Sequence, residues 1–310
     1  HLHVEADGRP EGALAQLGRY RFAQGESSTV EILEQAIESF EATGRVTADG
    51  SSDRLDHSSM YRGIISYHKT LSVLGSAYRE MGEMAAAVSC LERAKELARR
   101  LGDRKREGVI LGYLGDVEIV GGDPRRANEL YARAIKFNTE VGNQHFLGVV
   151  YGNQGVSHSL LGELSEAITC YERALTIHRK LGSVRSQGLV LGNLGELLEE
   201  GGDRIGASRC LREAIRILEK RSPAFAGVFG STLALIRARE GSFEVARELL
   251  VRSQKMVGGS LVGEQGKVMC RWALVEHLAG NPEAALGALQ EAQARAQRLG
   301  LGAERELHTR

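Results

Sequence analysis

The sequence predicts an all-α solenoid of six to seven helix-turn-helix repeats. Three observations carry that prediction. Glycines recur in pairs seven residues apart, at Gly75 and Gly82, Gly115 and Gly122, Gly155 and Gly162, and Gly195 and Gly202, so the pair itself repeats every 40 residues. Alanines keep the same interval, at Ala87, Ala127, Ala167 and Ala207 and again at Ala94, Ala134, Ala174 and Ala214. Only 4 prolines stand against 38 glycines, which leaves room for many uninterrupted helices. A fixed period of this size marks a unit that buries its apolar face only by stacking on its neighbours.

Residues 1–44 form the first expected element, a degenerate helix pair. Gly18 and Gly25 keep the seven-residue step, and Leu33-Glu34-Gln35-Ala36-Ile37 resembles Leu91-Glu92-Arg93-Ala94-Lys95. Residues 45–59 are polar and rich in Ser, Asp and Gly, and are expected as a loop inserted before the array. The array then occupies 60–302. Four units are near-perfect, 67–107, 108–147, 148–187 and 188–226. A fifth, 227–265, is one residue short and has Ala234 and Gly241 as its pair; a sixth, 266–302, has Ala273 and Gly280. Residues 303–310 are a charged tail.

The unit 108–147 shows the anatomy. Val109, Leu111, Leu114 and Val117 lie at helical spacing and stop at Gly121-Gly122. Asp123 offers an N-cap and Pro124 the first helical position. A second helix carries Ala127, Leu130, Tyr131, Ala134, Ile135 and Phe137 on one stripe and ends at Gly142. Within the first helix, Gly108, Gly112 and Gly115 recur as Gly148, Gly152 and Gly155 and as Gly188, Gly192 and Gly195. Glycine inside a helix costs about 0.5–1 kcal/mol relative to alanine, so its repetition implies very close packing along that face.

Composition narrows the function classes. The 40 basic and 40 acidic side chains balance, so no global field draws the chain to nucleic acid or an anionic membrane. Aromatic content of 5% gives no stacking platform for single-stranded nucleic acid, and no apolar run reaches the roughly 18–20 residues of a membrane span. Cys90, Cys170 and Cys210 occupy one slot in three repeats. Equivalent slots lie about one helix-packing distance apart, near 10 Å, against the roughly 4.4–6.8 Å between Cα atoms that a disulfide needs. They are expected as small buried hydrophobes in a reducing, cytoplasmic setting. Opening on His1 rather than Met, with no signal peptide, the chain reads as a fragment of a longer protein.

At Leu111-Gly112-Tyr113-Leu114-Gly115, Tyr151-Gly152-Asn153-Gln154-Gly155 and Leu191-Gly192-Asn193-Leu194-Gly195, followed by Tyr171-Glu172-Arg173-Ala174-Leu175, the chain resembles tetratricopeptide repeats. Its 40-residue unit is similar to the long repeats of G-protein regulators built on Leu-Gly-Asn repeats, and to arrays attached to bacterial signalling ATPases and kinases. The resemblance covers 60–302 well and 13–44 weakly. It implies a right-handed superhelix whose first helices line a concave groove, and it says little about the ligand.

By the family pattern, the residue two before the repeated glycine faces that groove: Val73, Tyr113, Asn153, Asn193, Thr232 and Arg271. A primary amide both donates and accepts, so Asn153 and Asn193 are candidates to hold the backbone of an extended peptide. Arg79, Glu196, Lys267 and Arg271 give the same face a charge pattern, with Lys69, Asp116, Glu199 and Glu200 beside them. The expected partner-binding set is therefore Arg79, Tyr113, Asn153, Asn193, Glu196, Thr232, Lys267 and Arg271, each with a solvated-surface alternative.

No chemistry competes with this reading. The cysteines lie 80, 40 and 60 residues apart without a Cys-x-x-Cys pair, so no zinc spacing exists. Gly266-Lys267 fails the P-loop pattern because Val268 stands where Ser or Thr is required. No Gly-x-Ser-x-Gly elbow occurs. The expectation is a non-enzymatic interaction scaffold with no cofactor and no metal. It would bind a partner peptide or helix, as the regulatory or sensor part of a larger signalling protein. Two alternatives stand beside it. One is a solenoid enclosing a small molecule, for which Tyr113, Tyr151 and Trp272 would matter more than the asparagines. The other is an intramolecular autoinhibitory or oligomerisation arm acting on other domains of the same polypeptide.

Overall fold

The computed structural model describes residues 14–15, 17–18, 29–42, 57–258 and 262–298. Among them are thirteen α-helices and no strand: α1 (Thr29–Ala42), α2 (His57–Met81), α3 (Met84–Arg100), α4 (Arg104–Gly121), α5 (Pro124–Glu140), α6 (Gln144–Leu160), α7 (Leu164–Lys180), α8 (Val184–Glu200), α9 (Arg204–Leu218), α10 (Pro223–Arg239), α11 (Phe243–Val257), α12 (Val262–Leu278) and α13 (Pro282–Arg298). Of the expected inserted loop, 45–59, residues 45–56 lie outside the described residues and 57–59 open α2; the expected tail, 303–310, also lies outside them.

Left-handed glycines set the punctuation. Gly82, Gly102, Gly122, Gly142, Gly162, Gly182 and Gly202 all have φ between 63° and 87°, so a helix stops about every 20 residues. At the α4–α5 turn the Gly122 N–H donates to Ile119 O at 3.2 Å and the Asp123 N–H reaches back to Glu118 O at 2.9 Å. These two bonds satisfy carbonyls that the helix end leaves open. Asp123 then caps α5, its carboxylate accepting from the Arg126 N–H at 2.9 Å, with Pro124 in the first turn. Asp103 and Asp203 cap α4 and α9 in the same way. Helix α4 therefore starts at Arg104, four residues before the Gly108 from which the repeat was counted. Gly108 is an interior, buried position.

The chain divides into two compact units, His1–Leu161 and Gly162–Arg310. In the first, α1 to α6 pack each on the next in sequence. Its core runs through Leu33, Phe40, Tyr67, Leu71, Leu91 and Ile110, with Phe40 edge-on to Tyr67 at 5.8 Å. In the second, α7 to α13 pack in the same serial manner, and α10 also touches α12. Helix α10 is buried nearly all round, which accounts for its lack of amphipathic pattern.

The helical glycines mark where a large side chain enters. A Cβ on Gly115 would lie 2.5 Å from the ring of Tyr131 on α5, and one on Gly195 would lie 2.7 Å from Leu211 on α9. Gly75 meets Leu91 at 2.8 Å in the same fashion, and Gly18 meets Leu33 at 2.5 Å. These pairs hold the two helices of one repeat together. Gly112 and Gly192 instead face the next repeat, where Cβ atoms would lie 2.8 Å from Phe146 and 2.1 Å from Phe229. Close packing thus explains Gly108, Gly112, Gly115, Gly188, Gly192 and Gly195. Cys90, Cys170 and Cys210 are buried free thiols, while Cys270 is exposed.

Candidate functional site

In the first unit, α2 and α4 are the first helices of consecutive repeats, and a cleft of about 500 Å³ opens between them. From α2 come His68, Lys69, Ser72, Val73 and Ser76; from the start of α4 and its cap come Asp103, Lys105, Arg106, Val109 and Tyr113. Lys69 and Lys105 are exposed. Arg106 is held by the Asp103 carboxylate, which also caps the helix at 2.9 Å. Tyr113 is half-buried, stacked edge-on against Phe146 at 5.8 Å. Burial, with the Asp116 charge, pushes its phenol pKa up against the pull of Arg79.

His68 is the unusual member. It is 4% exposed, and neither ring nitrogen has a hydrogen-bond partner among the described residues. Burial first, then the nearby Arg106 and Lys69 charges, lower its pKa to about 4, with only Asp103 opposing. The imidazole is neutral at pH 7.

Behind the cleft, Asp116 on α4 gathers three donors: the Tyr131 hydroxyl at 2.7 Å, the Asn153 amide at 2.7 Å and Arg79 at 3.4 Å. Burial pushes the Asp116 carboxyl up, against these three groups. Asn153 and Arg79 are thereby tied to a carboxylate from the neighbouring repeat, one amide donor of Asn153 being engaged within the fold.

The second unit holds a related arrangement. Glu196 on α8 accepts from the Thr232 hydroxyl of α10 at 2.8 Å and from Arg271 of α12 at 2.6 Å. Arg271 also donates to Val228 O at 3.2 Å and to Ser231 at 3.1 Å, so one guanidinium stitches three repeats. Burial and the Glu196 charge raise the pKa of Glu200, with Arg271 opposing. Asn193 is half-buried without a side-chain partner among the described residues, and Lys267 is exposed one turn before Arg271. The sequence-predicted residues are therefore brought together as Glu196–Thr232–Arg271 in one unit and Arg79–Asn153 around Asp116 in the other. Tyr113 joins the cleft.

Tyr113 and Trp272 line different cavities, the latter one of about 170 Å³ with Met269, Ala284 and Ala288. Tyr151 is in neither lining. His68 and Lys105 were missed by sequence reasoning because they fall off the position two before the glycine. The only available signal was Lys69, whose neighbour is His68. Among the described residues no group of three His, Cys, Asp or Glu is placed to hold a metal, and no helix is long and apolar enough to cross a membrane.

Residues 67–140 and 146–220 match the tetratricopeptide repeat family. Over those two stretches the chain carries tetratricopeptide repeats. No curated protein matches the sequence. Among solved structures, the apo form of RapI superposes with a TM-score of 0.68 at 15% identity over 93% of this chain and 99% of its own. A Rap protein complexed with competence and sporulation factor gives 0.68 and 15% over 93% and 75%. A signal transduction ATPase with numerous domains from Pyrococcus horikoshii, described as having a tetratricopeptide repeat sensor, gives 0.63 and 16% over 93% of this chain and 43% of that one. At these identities the likeness is one of fold: an all-α helical repeat, an architecture used in general as a protein-binding scaffold.

Proposed function

We propose that this tetratricopeptide array is a protein-interaction module that holds a segment of a partner on the first helices of its repeats, as the regulatory or sensing part of a larger signalling protein. The partner is a separate protein or another domain of the same polypeptide. The observation that carries the reading is the cleft between α2 and α4. At about 500 Å³ it lies within the range of roughly 300–1,000 Å³ typical of ligand sites, and its lining mixes apolar walls with converging polar groups. The neighbours support the same reading at the level of fold, one being a Rap protein with a bound factor and another carrying a repeat sensor. No reaction is assigned to the chain: of the groups with shifted pKa, His68 and Tyr113 line the cleft, while Asp116 and Glu200 are not in its lining, so no nucleophile, base and acid are assembled there among the described residues.

A photo-crosslinking side chain tests the placement. Benzoylphenylalanine at Val73, inside the cleft, is expected to capture a partner from source lysate. The same group at the exposed Arg133 on α5 is expected to capture nothing at that mass. Capture from Arg133 alone would move the interaction to the second helices.

A further inference from the structure

The cleft between α2 and α4 has a chemistry that narrows its occupant. Its apolar lining is Val73, Val109 and the ring of Tyr113, surface against which an aromatic side chain can pack. Its lining also carries exposed cations. Lys69 and Lys105 are exposed and have no ion-pair partner among the described residues, whereas Arg106 is neutralised by Asp103. Its lining includes His68, a buried imidazole with both nitrogens unpartnered among the described residues. A buried polar group without a hydrogen bond is an unfavourable state that a bound donor or acceptor relieves.

We infer that the cleft between α2 and α4 seats a tyrosine side chain of a partner segment, with acidic residues flanking that tyrosine placed on Lys69 and Lys105. The inference rests on the interaction-module reading and adds the chemistry of the partner. The ring is enclosed by Val73, Val109 and Tyr113, which removes apolar area from water on both sides. The flanking carboxylates meet two lysines without a partner among the described residues, so opposite charges select the segment and steer its approach. Binding requires the buried His68 ring to rotate so that a nitrogen meets the bound hydroxyl. A phenolic hydroxyl both donates and accepts, as does a neutral imidazole, so tyrosine satisfies His68 where phenylalanine leaves it unpaired. A basic segment is rejected by the same two lysines.

The test uses the full 310-residue chain and fluorescein-labelled pentapeptide amides in anisotropy titrations. The probes are Glu-Asp-Tyr-Glu-Asp, the same peptide with Phe or Ala at the centre, and Lys-Lys-Tyr-Lys-Lys. The acidic tyrosine peptide is expected to bind at least about tenfold more tightly than the alanine or lysine peptides, and more tightly than the phenylalanine one. Its affinity should fall as salt rises, because the lysines are exposed. Lys69→Glu with Lys105→Glu should weaken it about tenfold or more while leaving the melting temperature unchanged. Val109→Trp, which crowds the cleft, should do the same, and the His68 ring proton resonances should shift on binding. Equal binding of the alanine peptide, or an unchanged Kd in the double lysine variant, overturns the inference. So does displacement of the peptide by an equal concentration of free 4-hydroxyphenylacetate, which would make the occupant a small molecule. If these peptides fail while Val73 still crosslinks a partner, the tyrosine–acid chemistry falls and the interaction reading stands. If Val73 captures nothing as well, both fall.

Discussion

Burial of His68 links stability to pH in a direction that can be worked out. Its pKa is 6.5 when unperturbed and about 4 in the fold, so between those values the unfolded chain binds more protons than the folded one. Stability from this group is full above pH 6.5 and is lost as pH falls toward 4, by on the order of 3 kcal/mol. His68→Leu removes the titration. Urea midpoints of wild type and variant, compared at pH 7 and pH 4.5, should show the wild type losing more. Parallel losses would mean that the imidazole is solvated. The cleft residues His68 and Lys105 were not legible in the sequence, because nothing in the repeat pattern distinguishes a lining position from a solvated one when the residue appears in only one repeat. Asn153 shows the converse. Its type and place invited a ligand, yet its amide meets Asp116, a contact 37 residues away in sequence.

At the scale of the helix pair, the glycines were legible and their partners were not. Spacing alone gave close approach, but the structure separates two uses: Gly115 and Gly195 admit a side chain from their own repeat, Gly112 and Gly192 one from the next. Gly192→Ala measures the second use. Alanine improves helix propensity by up to about 1 kcal/mol, whereas its Cβ would lie 2.1 Å from the ring of Phe229, itself only 2% exposed. Overpacking at about 1–3 kcal/mol outweighs propensity, so a lower denaturant midpoint is expected. A raised midpoint would show that Phe229 moves aside easily. Arg271 makes a related point. Its charge was readable, but its bonds to Glu196, Ser231 and Val228 join helices that sequence cannot place side by side.

For the whole chain, serial packing makes stability local. Gly115→Ala perturbs the contact with Tyr131 in the first unit, and Gly192→Ala the contact with Phe229 in the second. Amide hydrogen exchange should quicken in α4 and α5 for the first variant and in α8 to α10 for the second. Acceleration spread evenly over both units would mean a single cooperative core. The same locality lets a cleft form between two helices without help from distant repeats.

The sequence by itself determined the helices, their turns and the repeat family, because each depends on short-range rules: a left-handed glycine ends a helix, an aspartate caps the next, and alanine or glycine marks a close contact at fixed spacing. Tertiary structure decided which polar groups are already engaged within the fold and which are not. Asp116 collects Asn153 and Arg79, and Glu196 collects Thr232 and Arg271. Among the described residues, Lys69 and Lys105 keep exposed charges without an ion-pair partner, in the same cleft lining as the unpartnered ring of His68. Hydrogen bonds between repeats depend on side-chain directions across a helix interface, and periodicity in sequence carries spacing along a helix but not that direction.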